Sequence, residues 1–226
     1  SMSPFGCVVC GCEAKPLFQA GAYRMYRCDA CSHAFVYPLP SDQFLVEFYS
    51  TFHTALEMGG GYELIEDRTE KDFNSKIHLI KTHLSKPSPI MLDFGCGKGF
   101  FVKALINEGI QAEGIDLSDT AVNFARNELN VPAMCGLVDD CEWMENRFDG
   151  VSFWATIEHL SRPFETLKSI ATVIKPGGYL FLDTGIGDDW LDKILPGVNQ
   201  WYDPPQHLHV FSIQSIVKSL EEAGFS

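Results

Sequence analysis

The sequence predicts an α/β fold, a largely parallel sheet covered by helices on both faces, preceded by a small module held together by metal. Three observations predict it. From residue 90 onward, short apolar runs alternate with amphipathic stretches, the pattern of parallel strands joined by crossover helices. A glycine-rich run, Gly95-Cys96-Gly97-Lys98-Gly99, falls at the first strand-to-helix junction. Near the N-terminus, two C-x-x-C pairs, Cys7/Cys10 and Cys28/Cys31, stand 17 residues apart.

The pattern divides the chain into residues 1–40, 41–89 and 90–226. Residues 1–40 are rich in cysteine, and Ser1 before Met2 reads as a cloning remnant. A segment of this size cannot bury enough apolar surface to hold itself together, so four thiolates on one zinc are expected to supply the folding energy. Cys12 and His33 are spare donors, and Cys135 and Cys141 read as buried or idle thiols. Residues 41–89 are expected to form a helical connector and lid. Phe44, Leu45, Phe48 and Tyr49 are at helical spacing after Ser41, and Phe73, Ile77, Ile80 and Leu84 follow Gly59-Gly60-Gly61.

The third region sets out the sheet. Strands are expected at 90–94, 112–116, 132–135, 149–154 and 179–184, with helices at 100–108, 118–130, 163–174 and 212–223. Ligands of such sheets sit at the carboxyl ends of the strands. The glycines let the backbone turn tightly and approach a ligand closely, and Asp116, ending the second strand, is placed to take two ribose hydroxyls.

Charge narrows the partners. Lys15, Arg24 and Arg27 against Glu13 and Asp29 make residues 1–40 +1, so the remainder carries −14 of the net −13. That balance argues against duplex nucleic acid, where cations must replace phosphate counterions. No apolar window is long enough to span a membrane and no secretory signal is visible, so a cytoplasmic location is expected.

The spacing G-x-G-x-G differs from the dinucleotide fingerprint. Asp93-Phe94-Gly95-Cys96-Gly97-Lys98-Gly99 resembles motif I of class I S-adenosylmethionine-dependent methyltransferases, and Glu113-Gly114-Ile115-Asp116-Leu117-Ser118 resembles their motif II. Arg147–Val151 with Ile157-Glu158-His159-Leu160, and Lys175-Pro176-Gly177-Gly178, are similar to their later motifs. The resemblance covers residues 90–224 and implies a Rossmann-like fold with S-adenosylmethionine as cofactor. It implies that Asp93, Gly95, Cys96 and Gly97 surround the methionine moiety, Cys96 as a small loop residue and not a nucleophile. It also implies that Asp116 holds the ribose, that Leu117, Leu137 and Val138 meet the adenine, and that Trp154 lines the pocket. Many relatives carry Asp where this chain has Leu137; Asp139 or Asp140 could substitute. The family's sheet ends in a strand pair after the last helix, and here that pair is expected to be missing.

Methyl transfer to a hydroxyl or carbon acid requires a base. Glu158 and His159 follow the fourth strand. His207 follows a long loop carrying Trp190, Trp201 and Tyr202, and is the first choice as base. Pro205–Ser212 resembles a Pro-x-His-x-x-x-Phe-Ser stretch of similar proteins, with one residue's slack. The run Tyr26–Pro38 resembles the ribbon of bacterial methyltransferases linked to sugar and polysaccharide modification, which implies a small-molecule or sugar acceptor. The alternatives are an RNA methyltransferase using the ribbon as adaptor, which the charge disfavours, and a non-catalytic cofactor-binding protein, which the intact glycines and Asp116 disfavour.

Overall fold

The computed structural model describes residues 6–41, 43–49, 66–137, 145–187, 195 and 200–226. The chain forms two compact units: Ser1–Ser41 with Ala155–Ala171 and Asp183–Ser226, and Asp42–Trp154 with Thr172–Leu182.

The second unit holds the sheet. Its strands are β4 (Ile90–Phe94), β5 (Gln111–Asp116), β6 (Ala133–Cys135), β7 (Phe148–Trp154) and β8 (Ile174–Asp183), ordered β6-β5-β4-β7-β8. β4 pairs in parallel with β5 and β7, and β5 with β6. β7 is buried at every position except its last, as befits a strand covered on both faces. Helices α1 (Glu66–His83), α2 (Phe100–Asn107) and α3 (Asp119–Asn127) flank the sheet, and α4 (Pro163–Val173) precedes β8 in the chain. Ile77, Ile80 and Leu84 pack with Met91, Val102, Leu105 and Val122 in one buried cluster. Ser118 caps α3 by accepting from the Ala121 amide, and α2 is stopped at Gly109, whose φ is 82°.

The expected elements are present with shifted ends. β8 begins at Ile174, because Lys175-Pro176-Gly177-Gly178 runs on as strand instead of forming a separate turn. Residues 43–49 are helical, and Val138, Asp139, Asp140, Cys141 and Trp190 lie outside the described residues.

The first unit is built on a four-stranded antiparallel sheet, β1 (Ala14–Ala20), β2 (Tyr23–Cys28), β3 (Ala34–Tyr37) and β9 (His209–Val210), in that order. The bulge between Pro16 and Phe18 falls on the edge strand β1, where a residue without an N–H is tolerated. β9 comes from the far end of the chain, pairing Phe35 with His209. α5 (Ile213–Glu222) follows, opened by a reciprocal cap between Ser212 and Ser215. The Ser212 hydroxyl also donates to the Cys31 carbonyl at 2.6 Å, tying this helix start to the second cysteine pair.

Candidate active site

At the carboxyl end of β4, Asp93 is 3% exposed. The register sets it beside Ser152, whose hydroxyl donates to it at 2.7 Å. Burial lifts the Asp93 carboxyl to about 7, against an ordinary 3.8. The backbone then turns through Gly95 (φ 77°) and Gly97 (φ 52°), a left-handed path that other residues adopt only under strain. The amides of Gly95 and Cys96 both donate to the Ile115 carbonyl, at 2.8 and 3.0 Å, which draws the loop over the end of β5. There the Asp116 carboxylate accepts from the Gly97 amide and from the Ser118 amide, each at 2.8 Å. Gly114 leaves the space this needs: a Cβ there would lie 2.5 Å from the Cys96 sulfur. Burial pushes the Cys96 thiol up, so it stays protonated.

Leu117 and Leu137 are half-buried just beyond β5 and β6, and the Gly136 amide donates to the Asp116 carbonyl at 3.0 Å. Trp154 ends β7, edge-on to Phe101 with the Lys76 ammonium 4.6 Å from its ring centre. The expected cofactor residues therefore gather at the carboxyl ends of four adjacent strands, except Val138, which lies outside the described residues. A cavity of about 600 Å³ lies at the opposite strand ends, lined by Ile90, Gln111, Pro132 and Arg147. Arg147 is paired there with Glu113. Ser152 escaped the sequence reading; its only signal was a lone hydroxyl inside an apolar strand.

In the other unit, Glu158 and His159 lie on a 3-10 turn (Ile157–His159) that follows β7 in the chain. His207 comes 48 residues later, and its ring centre is 4.9 Å from that of His159. Side-chain ligand atoms of Glu158, His159 and His207 all fall within 4.8 Å of one another. The Leu208 amide donates to the Glu158 backbone carbonyl at 2.8 Å, which joins the two segments. Glu158 is 2% exposed. One of its oxygens accepts from the Thr184 hydroxyl at 3.0 Å, and Oε1 is buried without a hydrogen bond. Each imidazole donates Nδ1–H to a backbone carbonyl, His159 to Gln206 at 2.6 Å and His207 to Trp201 at 3.0 Å. Burial raises Glu158 and lowers both histidines, with the neighbouring His159 lowering His207 further. Residues 200–208 thus carry His207 to Glu158 and His159, while Trp201 supplies it a carbonyl.

The same unit contains the cysteines. Cys7 and Cys31 sulfurs are 3.6 Å apart, Cys10 and Cys28 3.4 Å, and Cys10 and Cys31 3.6 Å. Ligands about 2.3 Å from one zinc stand about 3.8 Å apart, so the four are close to tetrahedral spacing and far from a disulfide's length. The two pairs repeat one local geometry. Val9 and Ala30 amides each donate to the sulfur two residues earlier, both at 3.4 Å. Gly11 and Ser32 each close the turn onto the first cysteine's carbonyl with a positive φ. The Cys31 thiol, donating to Cys7, holds that thiol down to about 5. Cys12 is exposed and outside this group, as is Cys135 in the other unit. His33 is also outside it: its Nε2 lies 3.2 Å from Nδ1 of buried His209, a pairing that no local pattern announced.

The sequence profile of a methyltransferase domain matches residues 65–226. The chain belongs to the methyltransferase domain family. The domain is similar to ubiquinone biosynthesis O-methyltransferases, 30% identical over 114 residues to that of Coxiella burnetii (48% of this chain, 49% of the relative). To that of Xanthomonas campestris pv. campestris it is 27% identical over 146 residues (57% and 61%). The chain spans about half the length of the curated relatives it matches. Among solved structures, it resembles an S-adenosylmethionine-dependent methyltransferase from Thermotoga maritima (TM-score 0.60, 20% identity, 80% and 81% covered). It also resembles Haemonchus contortus phosphoethanolamine N-methyltransferase 2 in complex with S-adenosyl-L-methionine (TM-score 0.56, 23% identity, 66% and 36% covered). These likenesses establish the methyltransferase fold. Among the described residues, no helix is long and apolar enough to cross a membrane.

Proposed function

We propose that the chain transfers a methyl group from S-adenosylmethionine to oxygen on a small-molecule or sugar acceptor. The observation carrying this reading is the convergence of Asp93, the glycine loop, Asp116, Leu117, Leu137 and Trp154 at the carboxyl ends of adjacent strands in a methyltransferase domain. In this reading Asp93 faces the cationic methionine end, backbone groups of Gly95, Cys96 and Gly97 surround it, and Asp116 receives the ribose. Leu117 and Leu137 cover the adenine, and Trp154 walls the pocket. Four cysteines, Cys7, Cys10, Cys28 and Cys31, hold one structural zinc, for which their spacing and repeated amide–sulfur bonds are suited. Zinc there supplies folding energy to residues 1–40.

Transfer is an in-line displacement, so holding donor and acceptor in line supplies much of the rate. A hydroxyl acceptor must also lose its proton, a step worth about 10²–10⁴-fold. We assign that step to the Glu158, His159 and His207 cluster, with His207 as base: Trp201 holds its Nδ1–H and burial keeps the ring neutral. The test is calorimetry with S-adenosylmethionine, then a screen of hydroxylated acceptors with labelled cofactor. His207→Ala is expected to lower turnover at least ~100-fold with cofactor affinity nearly unchanged. Absent cofactor binding by the wild type would overturn the reading.

A further inference from the structure

We propose that His33 and His209 are positioning residues: the hydrogen bond between their buried rings fixes the register of β9 against β3 and so places His207 beside Glu158 and His159. The placing stands on the geometry; what His207 does once placed rests on the methyl transfer proposed above.

β9 is two residues long and pairs with β3 at two positions, Phe35 with His209 and Ala34 with Val210. Ladder bonds of that kind re-form after a slip, because every residue but proline offers the same N–H and C=O. The apolar neighbours give no direction either. Phe35, Phe164 and Phe211 surround the His33 ring, with centres 6.1, 5.9 and 4.9 Å away. Burial against such rings is favourable but non-directional.

The imidazoles differ. Nε2 of His33, one residue before β3, lies 3.2 Å from Nδ1 of His209 on β9. The residues are 0% and 2% exposed, and burial keeps both rings neutral, so one donates and the other accepts. This bond is a poor source of stability, since Nδ1 of His33 stays buried without a hydrogen bond. It is a good source of specificity. A slip of one residue would move β9 by about 3.4 Å and turn His209 to the other face of the sheet, where the bond cannot form.

His207 would move with the strand. Leu208, between the two histidines, accepts from the Val36 amide of β3 at 2.9 Å and donates to the Glu158 carbonyl at 2.8 Å. The chain at His207 is therefore held between β3 and the turn that carries Glu158 and His159. The His207 ring centre is 4.9 Å from that of His159, and its nearest nitrogen is within 4.8 Å of the Glu158 and His159 ligand atoms. A displacement of about 3.4 Å would break up that group.

The full chain, loaded with zinc and labelled with nitrogen-15 histidine, is read by nuclear magnetic resonance, and His207→Gln assigns the His207 ring. The His33→Leu, His209→Leu double variant removes both rings together and leaves neither nitrogen buried and unpaired. Its stability in urea is expected to equal or exceed that of the wild type. Its His207 signals are expected to move all the same. In the wild type, burial and His159 lower the His207 midpoint against Glu158, Asp203 and the Trp201 carbonyl, which raise it. A displaced ring loses all of these, so its midpoint rises toward 6.5. His33→Gln, whose amide can replace Nε2, should keep the wild-type His207 signals, whereas His33→Leu should not. Unmoved His207 signals in the double variant, or a His33→Gln variant displaced as far as His33→Leu, overturn the proposal. Loss of stability or of zinc in the double variant also overturns it, since the pair would then hold the fold and not the register. If His207 moves as expected but the wild type binds no S-adenosylmethionine, the positioning stands and the proposed methyl transfer fails.

Discussion

Replacing Asp93 with asparagine separates what this carboxyl does for binding from what it does to folding. It is 3% exposed, accepts from Ser152 and is lifted by burial to about 7. Lys76, which pulls it down, and Asp116, which pushes it up, are the other charges acting on it. Because the folded-state value exceeds the unfolded one, the native chain holds this proton more tightly. The resulting stability is complete below about pH 4 and is lost as the pH rises through about 7. At about 1.4 kcal/mol per unit, a shift of roughly three units amounts to about 4 kcal/mol. Somewhat over a third of that is already gone at pH 5, leaving about 2–3 kcal/mol to disappear between pH 5 and pH 8. Asparagine has no proton to lose there, keeps an acceptor for Ser152 and has nearly the same volume. Urea unfolding of both proteins at the two pH values checks this, because any pH-independent cost of the substitution cancels in the difference. The wild type is expected to lose about 2–3 kcal/mol relative to the variant across that interval. Calorimetry with S-adenosylmethionine above pH 7, where the wild-type carboxyl is ionised, should show weaker binding by the Asp93→Asn variant, since the cationic methionine end loses a charged partner. Parallel pH slopes would refute the buried-ionisation argument, whatever the calorimetry shows.

Asp116→Ala is expected to weaken cofactor binding by roughly 2–4 kcal/mol, because two ribose hydroxyls and the Gly97 and Ser118 amides lose one charged acceptor. Unchanged affinity by calorimetry would mean that the adenosine lies elsewhere. Gly114→Ala places a Cβ 2.5 Å from the Cys96 sulfur and 2.7 Å from its Cβ, so the glycine loop must shift. A loss of about 1–3 kcal/mol in thermal or urea unfolding is expected, with partial recovery in the Gly114→Ala, Cys96→Gly double variant. Cys28→Ser should abolish stoichiometric zinc by elemental analysis and expose β1 to β3 to limited proteolysis while cofactor binding persists. Metal-replete wild-type protein lacking zinc would remove the basis of that expectation.

What could be read from the sequence was local in the chain. Gly95 and Gly97 between an apolar run and a helix, Asp116 at the end of the next run, and two C-x-x-C turns each need only a few neighbouring residues to take their shape. Backbone sterics and hydrophobic period specify such pieces without reference to the rest of the molecule. Element ends were less legible, as with β8, which begins at Ile174 and takes Lys175–Gly178 into the strand despite its turn residues. Tertiary structure alone decided the pairings across long separations. The β4–β7 register put Ser152 against Asp93, and β9 reached back to β3 and set His209 against His33. Packing of residues 200–208 set His207 against Glu158 and His159, where Oε1 of Glu158 is buried without a hydrogen bond. Each of these depends on which side chains exclude water together, a property of the packed chain, whereas motifs at fixed spacing depend only on covalent reach.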